Sequence, residues 1–362
     1  MPNENIERKH TYMEIYNENY DYQKVLSALT NAFVEGGISK EQLETTIATL
    51  GFDLTIDYKG LSDDELRDLI SDIKNDRKER LDDEFAEVRK QKYFKTMLQF
   101  DQYPGIIGAA IGDVWGSYYE FRTDEKTPQL MVSLHQSSTY TDDTVLTAAI
   151  ADYLTRKSKG EDVKPERVIK EWCAKYPSAG YGARFSDWLD SQNPKPYGSY
   201  GNGSAMRVSP VAYFAKSEEE CDALAEEVTS ITHNHPEGIK GAKVIARIIY
   251  MALHGKSKTE IEAYARQYYN LDIDVHGMFA YMGHGDEICQ ITVPQAIWAF
   301  LHSDSFEDCL RLAISIRWDA DTLAAIACSI AEAYYKEIPE DIYSSTIERM
   351  DEPLIAALQI NK

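Results

Sequence analysis

The chain has 362 residues, of which 43% are hydrophobic and 27% charged, so it can form one large domain or a main domain with an appendage. Its 60 acidic residues outnumber its 38 basic ones and give a formal net charge of −22. This balance argues against nucleic acid as a main partner, because no broad basic surface is available to neutralise phosphates. It permits a basic protein partner.

The cysteines and the N-terminus indicate the compartment. The five cysteines are odd in number and form no C-x-x-C pair, so we expect neither a disulfide framework nor a zinc knuckle. The N-terminus is polar, and no apolar run approaches membrane-spanning length, so we expect no signal peptide and no membrane contact. The sequence therefore predicts a cytoplasmic protein in a reducing compartment.

Residues 1–100 are predicted to form a helical N-terminal extension. Tyr12, Tyr16 and Tyr20 recur every four residues in a segment rich in Asn and Glu. The spacing fits an aromatic stripe that packs on the main body. It fits equally an exposed arm over residues 1–35 that docks a partner, because aromatic side chains dominate binding hot spots.

The same extension contains a helix start. Ser62-Asp63-Asp64-Glu65 has the spacing of a capping box, in which the first and fourth residues each accept the other's backbone N–H. We therefore predict a helix that begins there and runs, with breaks, toward Phe100.

The main domain is predicted over residues 101–362. Its apolar residues recur at helical spacing and no series of alternating strands is evident, so the predicted fold class is all-α. The domain opens with Gly108, Gly112 and Gly116, which leave one face of a helix without side chains. Such a face favours very close helix packing, and the spacing of a dinucleotide fingerprint is missing.

Two acidic clusters each stand at the start of an apolar helix. Their oxygen-bearing side chains are those of Thr141, Asp142, Asp143, Asp319, Asp321 and Thr322. Helix capping explains any one such cluster, because Thr and Asp accept from first-turn N–H groups. A cap uses one oxygen, however, whereas neighbouring carboxylates repel each other unless a cation joins them. The pattern therefore favours two halves of one metal site, and the all-oxygen ligand set favours magnesium.

A Gly-rich stretch from Pro196 to Pro210 lies between the two clusters. Its Gly and Asn residues let backbone N–H groups converge on an anion, although a plain surface turn also fits. It lacks the ending of a Walker loop. Further on, His233 and His235 have no additional zinc ligands at suitable spacing. A hydrogen-bonding role, or helix capping by Thr232, is therefore favoured over a metal role.

Taken together and in order, these motifs resemble the ADP-ribosylglycohydrolase family, of the dinitrogenase-reductase-activating glycohydrolase type. Five blocks carry the resemblance: Gly108 to Phe121, Tyr140 to Thr144, Gly201 to Pro210, Thr232 to Gly238 and Asp319 to Ile326. The resemblance implies an all-α fold with two magnesium ions in a cleft. It also implies hydrolysis of the bond that joins ADP-ribose to a protein, an arginine-linked one above all.

The resemblance further implies roles for single residues. The metal ligands would be Thr141, Asp142, Asp143, Asp319, Asp321 and Thr322, with one Asp bridging. The catalytic carboxylates would be Glu120, Asp142, Asp143 and Asp321, with Glu120 as either a mobile gate or a catalytic group, and either Glu120 or a metal-bridging Asp would take the proton of the attacking water. The substrate would contact Gly198, Ser199, Tyr200, Gly201, Asn202, Gly203, Met206 and His233.

One departure from the family pattern concerns the second cluster. The family usually carries Gly-Gly before D-x-D-T, where this chain has Arg317-Trp318. Trp318 could stack on a substrate group, and it is retained as a substrate-binding candidate. Equally, the pair could block the cleft.

Two functions follow from these observations. The first is a magnesium-dependent hydrolase that removes ADP-ribose from modified proteins and so confers immunity to an ADP-ribosyltransferase toxin. The alternative is a non-catalytic immunity protein that occludes a toxin's active site through its N-terminal extension, as the resemblance to extended family members implies. The presence of all six ligand candidates favours the enzyme.

Overall fold

The structure is a computed structural model, and it describes residues 39–41, 43, 62, 64–66, 97–99, 101–102, 106–122, 132–273, 287–316 and 318–359. The chain divides into two units, residues 1–86 and 87–362. The division at residue 100 into an extension and a main domain stays a prediction.

The first unit contains the predicted capping box. The backbone N–H of Ser62 donates to Glu65 Oε2 over 2.8 Å, and the N–H of Glu65 donates to Ser62 Oγ over 3.3 Å. Residues 64–66 are helical and Leu66 is buried. The predicted helix start is therefore confirmed. The Tyr-rich arm, residues 1–35, lies outside the described residues.

The second unit is all-α, as predicted. Its helices are α1 (Gly108–Gly116), α2 (Asp142–Ser158), α3 (Pro165–Lys175), α4 (Ala183–Asp190), α5 (Gly203–Met206), α6 (Pro210–Phe214), α7 (Glu218–Ser230), α8 (Pro236–Leu253), α9 (Lys258–Ala265), α10 (Cys289–His302), α11 (Phe306–Ile316), α12 (Ala320–Tyr335), α13 (Glu340–Ile347) and α14 (Glu352–Leu358). None of the helices in the described ranges combines the length and the apolar character needed to cross a membrane.

One short strand pair accompanies these helices. β1 (Met97–Gln99) pairs antiparallel with β2 (Glu337–Pro339), and Leu98 stands opposite Ile338. The predicted helix toward Phe100 is therefore wrong at its end. Three residues there are extended, because a partner strand from the far end of the chain satisfies their backbone groups.

The core is arranged around α12. This helix is buried from Ala320 to Ala333 and packs against α1, α8, α10 and α11. Seven of its sixteen residues are alanine or serine, and such small side chains let neighbouring helices approach closely. The helix ends at Lys336, which adopts a left-handed φ of +59°.

The glycines of α1 permit the closest of these approaches. A Cβ atom at Gly116 would lie 2.5 Å from the Cα atom of Asp321, and one at Gly112 would overlap the backbone of Ala324. Backbone therefore meets backbone along the contact between α1 and α12, which confirms the predicted close packing. The contact places the C-terminal end of α1 directly beside the start of α12.

The opposite end of the same contact is fixed by a buried carboxylate. Glu332, in the last part of α12, accepts the backbone N–H groups of Ile107 and Gly108 over 3.0 and 2.9 Å. These are N–H groups that the start of α1 leaves without an intrahelical partner. A negative charge there also interacts favourably with the positive end of the helix dipole.

Candidate active site

The start of α2 is hydrogen-bonded to a carboxylate of α1. The fully buried Asp113 of α1 accepts the backbone N–H groups of Thr141 and Thr144 over 2.9 and 3.0 Å. It also accepts their hydroxyl groups over 2.8 and 2.5 Å. Burial raises the pKa of Asp113 to about 6. Because four donors occupy its oxygens, Asp113 holds the start of α2 in place.

Carboxylates from distant parts of the chain converge at this point. Oxygens of Asp113, Asp143 and Asp321 lie within 4.8 Å of one another, and so do oxygens of Glu120, Asp319 and Asp321. Asp321 belongs to both groups and so connects them. The fold thus brings side chains of the two predicted clusters together.

The two clusters also contact each other directly. The hydroxyl of Thr322 donates to Asp143 Oδ2 over 3.1 Å. The other oxygen of Asp143, Oδ1, is buried and has no hydrogen-bond partner within the described residues. A buried carboxylate oxygen without a donor is costly. Because this oxygen belongs to a cluster of carboxylates, it is a candidate ligand of a cation.

The pKa values of the clustered carboxylates also favour a bound cation. Burial first, and neighbouring carboxylates second, raise the pKa of Asp142, Asp143 and Asp321 well above the ordinary range. Burial, followed by the charge of Asp319, raises the pKa of Glu120 to about 7. A divalent cation would stabilise the ionised form of each group. The donors are all oxygen atoms, which is the ligand set of hard cations such as magnesium.

The other two predicted ligands, Thr141 and Asp142, lie at the start of α2. Asp142 belongs to neither group of three, and its Oδ1 faces Gly180, where a Cβ atom would lie 3.9 Å away. The hydroxyl of Thr141 donates to Asp113. The structure therefore gathers four predicted carboxylates with Thr322 and with Thr141, whose hydroxyl also lies 3.4 Å from Asp143 Oδ2, while Asp142 belongs to neither group of three.

The Gly-rich stretch borders the acidic cluster. Asn202 Nδ2 donates to Asp319 Oδ2 over 2.5 Å and to Thr292 Oγ over 3.0 Å. Met206, in the short α5, is buried, and its sulfur lies 3.9 Å from the hydroxyl oxygen of Thr322. The Gly-rich stretch and the acidic cluster therefore form one continuous site.

The backbone N–H groups of this stretch are partly engaged already. Protein oxygens accept those of Gly198, Gly201 and Asn202. Across the described ranges, no acceptor is present for those of Ser199, Tyr200 and Gly203. Of the six residues from Gly198 to Gly203, three therefore have a backbone N–H group that is available to an anion.

The two histidines differ in role. His235 Nδ1 accepts the backbone N–H of Glu237 over 3.2 Å and caps α8, so the cap predicted at Thr232 is wrong. His233 is buried, and its Nδ1 lies 2.7 Å from the hydroxyl oxygen of Thr232, which confirms the predicted hydrogen-bonding role. Burial first, and then the charge of Arg207, hold the pKa of His233 well below its usual range.

Trp318 adopts a backbone conformation that favours glycine. Its φ is +68°, and its carbonyl oxygen accepts the backbone N–H of Phe121 over 2.6 Å. The two rings meet edge to face with their centres 5.5 Å apart. Trp318 is thus connected to the turn that carries Glu120, and its contact with substrate stays a prediction. Arg317 lies outside the described residues.

An all-α fold that gathers buried carboxylates from several helix ends defines a candidate metal-dependent enzyme. The chain belongs to the ADP-ribosylglycohydrolase family, whose model matches residues 103–359. This confirms the resemblance seen in the motifs. By family, the protein is a hydrolase that cleaves ADP-ribose from proteins.

Relatives from animals and bacteria share this family. ADP-ribosylhydrolase ARH3 of Mus musculus is 25% identical over 334 residues, which cover 71% of this chain and 90% of the relative. ADP-ribosylarginine hydrolase Tri1 of Pseudomonas putida is 26% identical, covering 64% of this chain and 69% of the relative. ADP-ribosyl-[dinitrogen reductase] glycohydrolase of Rhodospirillum rubrum is 26% identical, covering 68% and 88%.

A solved structure shares the fold. An ADP-ribosylglycohydrolase-related protein complex superposes with a TM-score of 0.54 at 23% identity and covers 70% of this chain and 95% of that one. At this level of identity, the likeness establishes the architecture.

Sequence reasoning assigned no role to two buried residues of this site. Asp113 is an acid on an otherwise apolar, Gly-rich helix, and that contrast was the available signal. Arg207 is a fully buried cation within the Gly-rich stretch. Nothing in its sequence neighbourhood distinguishes it from a surface arginine, because burial of a single charge depends on tertiary packing.

Proposed function

We propose that this protein hydrolyses the bond between ADP-ribose and arginine side chains of modified proteins, using two magnesium ions held in the acidic cluster. The observation that carries the proposal is the position of Asp321, which lies in both groups of carboxylates and so can connect two cation sites. The arginine linkage is supported by the Pseudomonas putida relative, which is named as an ADP-ribosylarginine hydrolase.

The proposed ligands are the side chains that meet at the starts of α2 and α12. They are Thr141, Asp142, Asp143, Asp319, Asp321 and Thr322. Asp143 Oδ1 is buried and without a donor in the described part of the chain, which fits a cation, and so do the raised pKa values of Asp143 and Asp321. When bound, magnesium supplies Lewis-acid chemistry and a charge that favours ionisation of nearby hydroxyl groups and water.

Glu120 is the proposed proton-transfer group of the site. It is partly exposed, whereas Asp319 and Asp321 are buried, so it can exchange protons with solvent. Without a cation its pKa is about 7, and bound magnesium would lower this value and keep Glu120 ionised at neutral pH, the form that a general base needs. Because C–N cleavage at a ribose develops positive charge on the sugar, the neighbouring carboxylates also stabilise the transition state.

The Gly-rich stretch is the proposed binding site for the diphosphate and the adjacent ribose. Among the residues that the structure describes, none accepts the backbone N–H groups of Ser199, Tyr200 and Gly203, and such groups suit phosphate oxygens. The side chain of Asn202 connects this stretch to Asp319, so a ligand held here lies next to the carboxylates. The ADP-ribose group of the substrate would thus be oriented before the reaction, which removes much of the entropic cost of reaching the transition state.

The test is release of ADP-ribose from a protein modified on arginine, measured with magnesium and with EDTA. We expect release that depends on magnesium and that is lost in Asp321→Asn. The matched control is Asp187→Asn, which removes an exposed carboxylate from α4. Release in EDTA would contradict the metal requirement. Release only from a protein modified through another linkage would contradict the arginine preference.

We also propose, from the sequence, that residues 1–35 contribute to immunity against an ADP-ribosyltransferase toxin by docking a partner. The supporting feature is the spacing of Tyr12, Tyr16 and Tyr20 in a segment outside the family match, which begins at residue 103. Deletion of residues 1–35 should abolish partner binding and leave hydrolysis intact. Loss of hydrolysis from a folded deletion variant would contradict this division of roles.

The proposed compartment remains the cytoplasm. All five cysteines are free and buried, as expected of a protein in a reducing environment.

A further inference from the structure

Arg207 is a buried cation with few partners. It is 1% exposed, and its Nε and Nη1 atoms have no hydrogen-bond partner within the described residues. Among the described residues, its side chain makes one hydrogen bond, from Nη2 to the hydroxyl oxygen of Thr232 over 2.7 Å. A buried charge without full hydrogen bonding is destabilising, so a function for this arrangement is expected.

The hydrogen bond from Arg207 determines the direction of the next one. A guanidinium group only donates, so Thr232 Oγ is the acceptor in that bond. The same oxygen lies 2.7 Å from His233 Nδ1. These two atoms are the only polar partners of the Thr232 hydroxyl among the described residues, so its hydrogen must point to Nδ1. With the other tautomer of His233, that hydrogen would lack an acceptor in the buried interior.

The direction of the Thr232 hydroxyl fixes the tautomer of His233. Because Nδ1 accepts, the proton of the neutral ring is on Nε2. The ring is neutral at physiological pH, since burial and the charge of Arg207 lower its pKa. His233 therefore presents an N–H donor at Nε2 and cannot act as an acceptor there.

The Nε2 donor faces the Gly-rich stretch. A Cβ atom at Gly203 would lie 3.4 Å from Nε2, and one at Gly201 would lie 3.6 Å from it. Both residues are glycine and so place no side chain of their own against the imidazole, and Nε2 makes no hydrogen bond within the part of the chain that the structure describes. Gly203 itself carries a backbone N–H that also lacks an acceptor there. The imidazole and the glycine that it approaches thus each offer an unused donor, an arrangement that suits an anionic oxygen.

We infer that Arg207 and Thr232 are positioning residues that fix His233 as an Nε2–H donor to a phosphate oxygen of the substrate over Gly201–Gly203. The identity of the substrate in this inference rests on the proposed function. The hydrogen-bond chain from Arg207 through Thr232 to His233 does not. Neither positioning residue needs to touch the substrate.

Thr232→Val tests the inference, because valine keeps the shape of threonine and removes the hydroxyl. We expect ADP-ribose binding, measured by calorimetry in magnesium, to weaken by about 10- to 100-fold, the value of one hydrogen bond to a charged group. The change should appear in KM rather than kcat, since the contact is made by bound substrate and transition state alike. Thr232→Ser, which keeps the hydroxyl, should restore wild-type affinity.

Thr229→Val is the matched control. Thr229 lies three residues earlier, is equally buried, and its hydroxyl has no partner among the described residues. Removing that hydroxyl should leave ADP-ribose affinity unchanged. Equal losses in Thr229→Val and Thr232→Val would show a packing effect and overturn the inference.

The tautomer is read directly from the nitrogen chemical shifts of histidine-labelled protein, with His233→Gln identifying the signals. We expect a single neutral Nε2–H form in the wild type and a mixture in Thr232→Val. An Nδ1–H form in the wild type would overturn the inference. If the wild type binds no ADP-ribose, the proposed function fails, and the tautomer alone then supports or overturns the hydrogen-bond chain.

Discussion

At the scale of single residues, Asp321 gives the sharpest test of the proposed metal site, because it belongs to both groups of carboxylates. Asparagine keeps its shape and can still accept the Thr322 N–H, which Asp321 Oδ1 accepts over 2.9 Å. We expect Asp321→Asn to lower magnesium-dependent hydrolysis by more than about 100-fold, since losses of 10- to 100-fold follow even from changes behind the ligands. In EDTA, the same variant should unfold at a higher temperature than the wild type, because one of several buried like charges is gone.

The two readouts separate a functional carboxylate from a structural one. A structural role would lower activity and stability together, whereas the opposite signs predicted for Asp321→Asn are typical of a strained active site. Asp187→Asn, on the exposed face of α4, should change neither.

Trp318 offers a second prediction at this scale, through its left-handed backbone. Trp318→Ala and Trp318→Gly both remove the ring contact with Phe121, but only glycine also relieves the strain at φ +68°. We expect the glycine variant to be more stable than the alanine variant by about 1 kcal/mol, measured by chemical denaturation. Equal stabilities of the glycine and alanine variants would contradict backbone strain at Trp318. The same conformation explains why glycine suits this position in the family pattern.

How far sequence predicts the site depends on the range of the interaction. The acidic clusters at Asp142 and Asp319 were recognisable because each is local and stands at a helix start. The role of Asp113 was not recognisable, because its four donors lie 28 to 31 residues away and meet it only in the folded chain. His235 rather than Thr232 caps α8 because Pro236 occupies the first helical position, where proline is favoured, and the cap is the residue directly before it.

At the scale of secondary-structure elements, the contact between α1 and α12 places Glu120 and Asp321 side by side. Gly112→Ala tests this contact. Alanine in a helix interior normally stabilises by up to about 1 kcal/mol relative to glycine. Here its Cβ atom would overlap the backbone of Ala324, so we expect a loss of about 1 to 3 kcal/mol in unfolding free energy.

The control for Gly112→Ala is Gly182→Ala, where a Cβ atom would meet nothing within 4 Å. Gly182 precedes α4, so its replacement should cost no more than about 1 kcal/mol, through the weaker capping preference of alanine. Comparable losses at the two positions would contradict backbone-to-backbone packing at Gly112. The periodic glycines predicted this packing, but only the fold identifies α12 as the partner helix.

The elements themselves were predicted better than their pairings. Apolar residues at helical spacing are a strong local signal, and the all-α class is confirmed on it. The strand at Met97–Gln99 was missed because three residues carry almost no periodic signal, and their partner strand lies 238 residues further along the chain. The left-handed backbone conformations of Phe121 and Trp318 could not be predicted from the sequence either, since neither residue type favours a positive φ.

At the scale of the whole molecule, the concentration of buried carboxylates makes stability depend on pH and on magnesium. Burial raises the folded-state pKa of Asp113 to about 6 and, with neighbouring charges, that of Glu120 to about 7. A group whose pKa is raised on folding stabilises the protein below its unfolded pKa, and this contribution is lost as pH rises through the folded pKa. In EDTA, the melting temperature should therefore fall as pH rises from about 4, near the unfolded pKa values, through about 7.

Magnesium should oppose this loss, because a cation that binds only the folded protein stabilises it by about 2.7 kcal/mol at 100 times its dissociation constant. Protons compete with magnesium for the same carboxylates, so the increase in melting temperature on adding magnesium should be larger at pH 8 than at pH 6. Melting curves recorded at both pH values, with magnesium and with EDTA, give the comparison. Asp321→Asn should reduce the magnesium effect and Asp187→Asn should not. An equal effect at the two pH values would mean that the buried carboxylates of α2 and α12 are not where the ions bind.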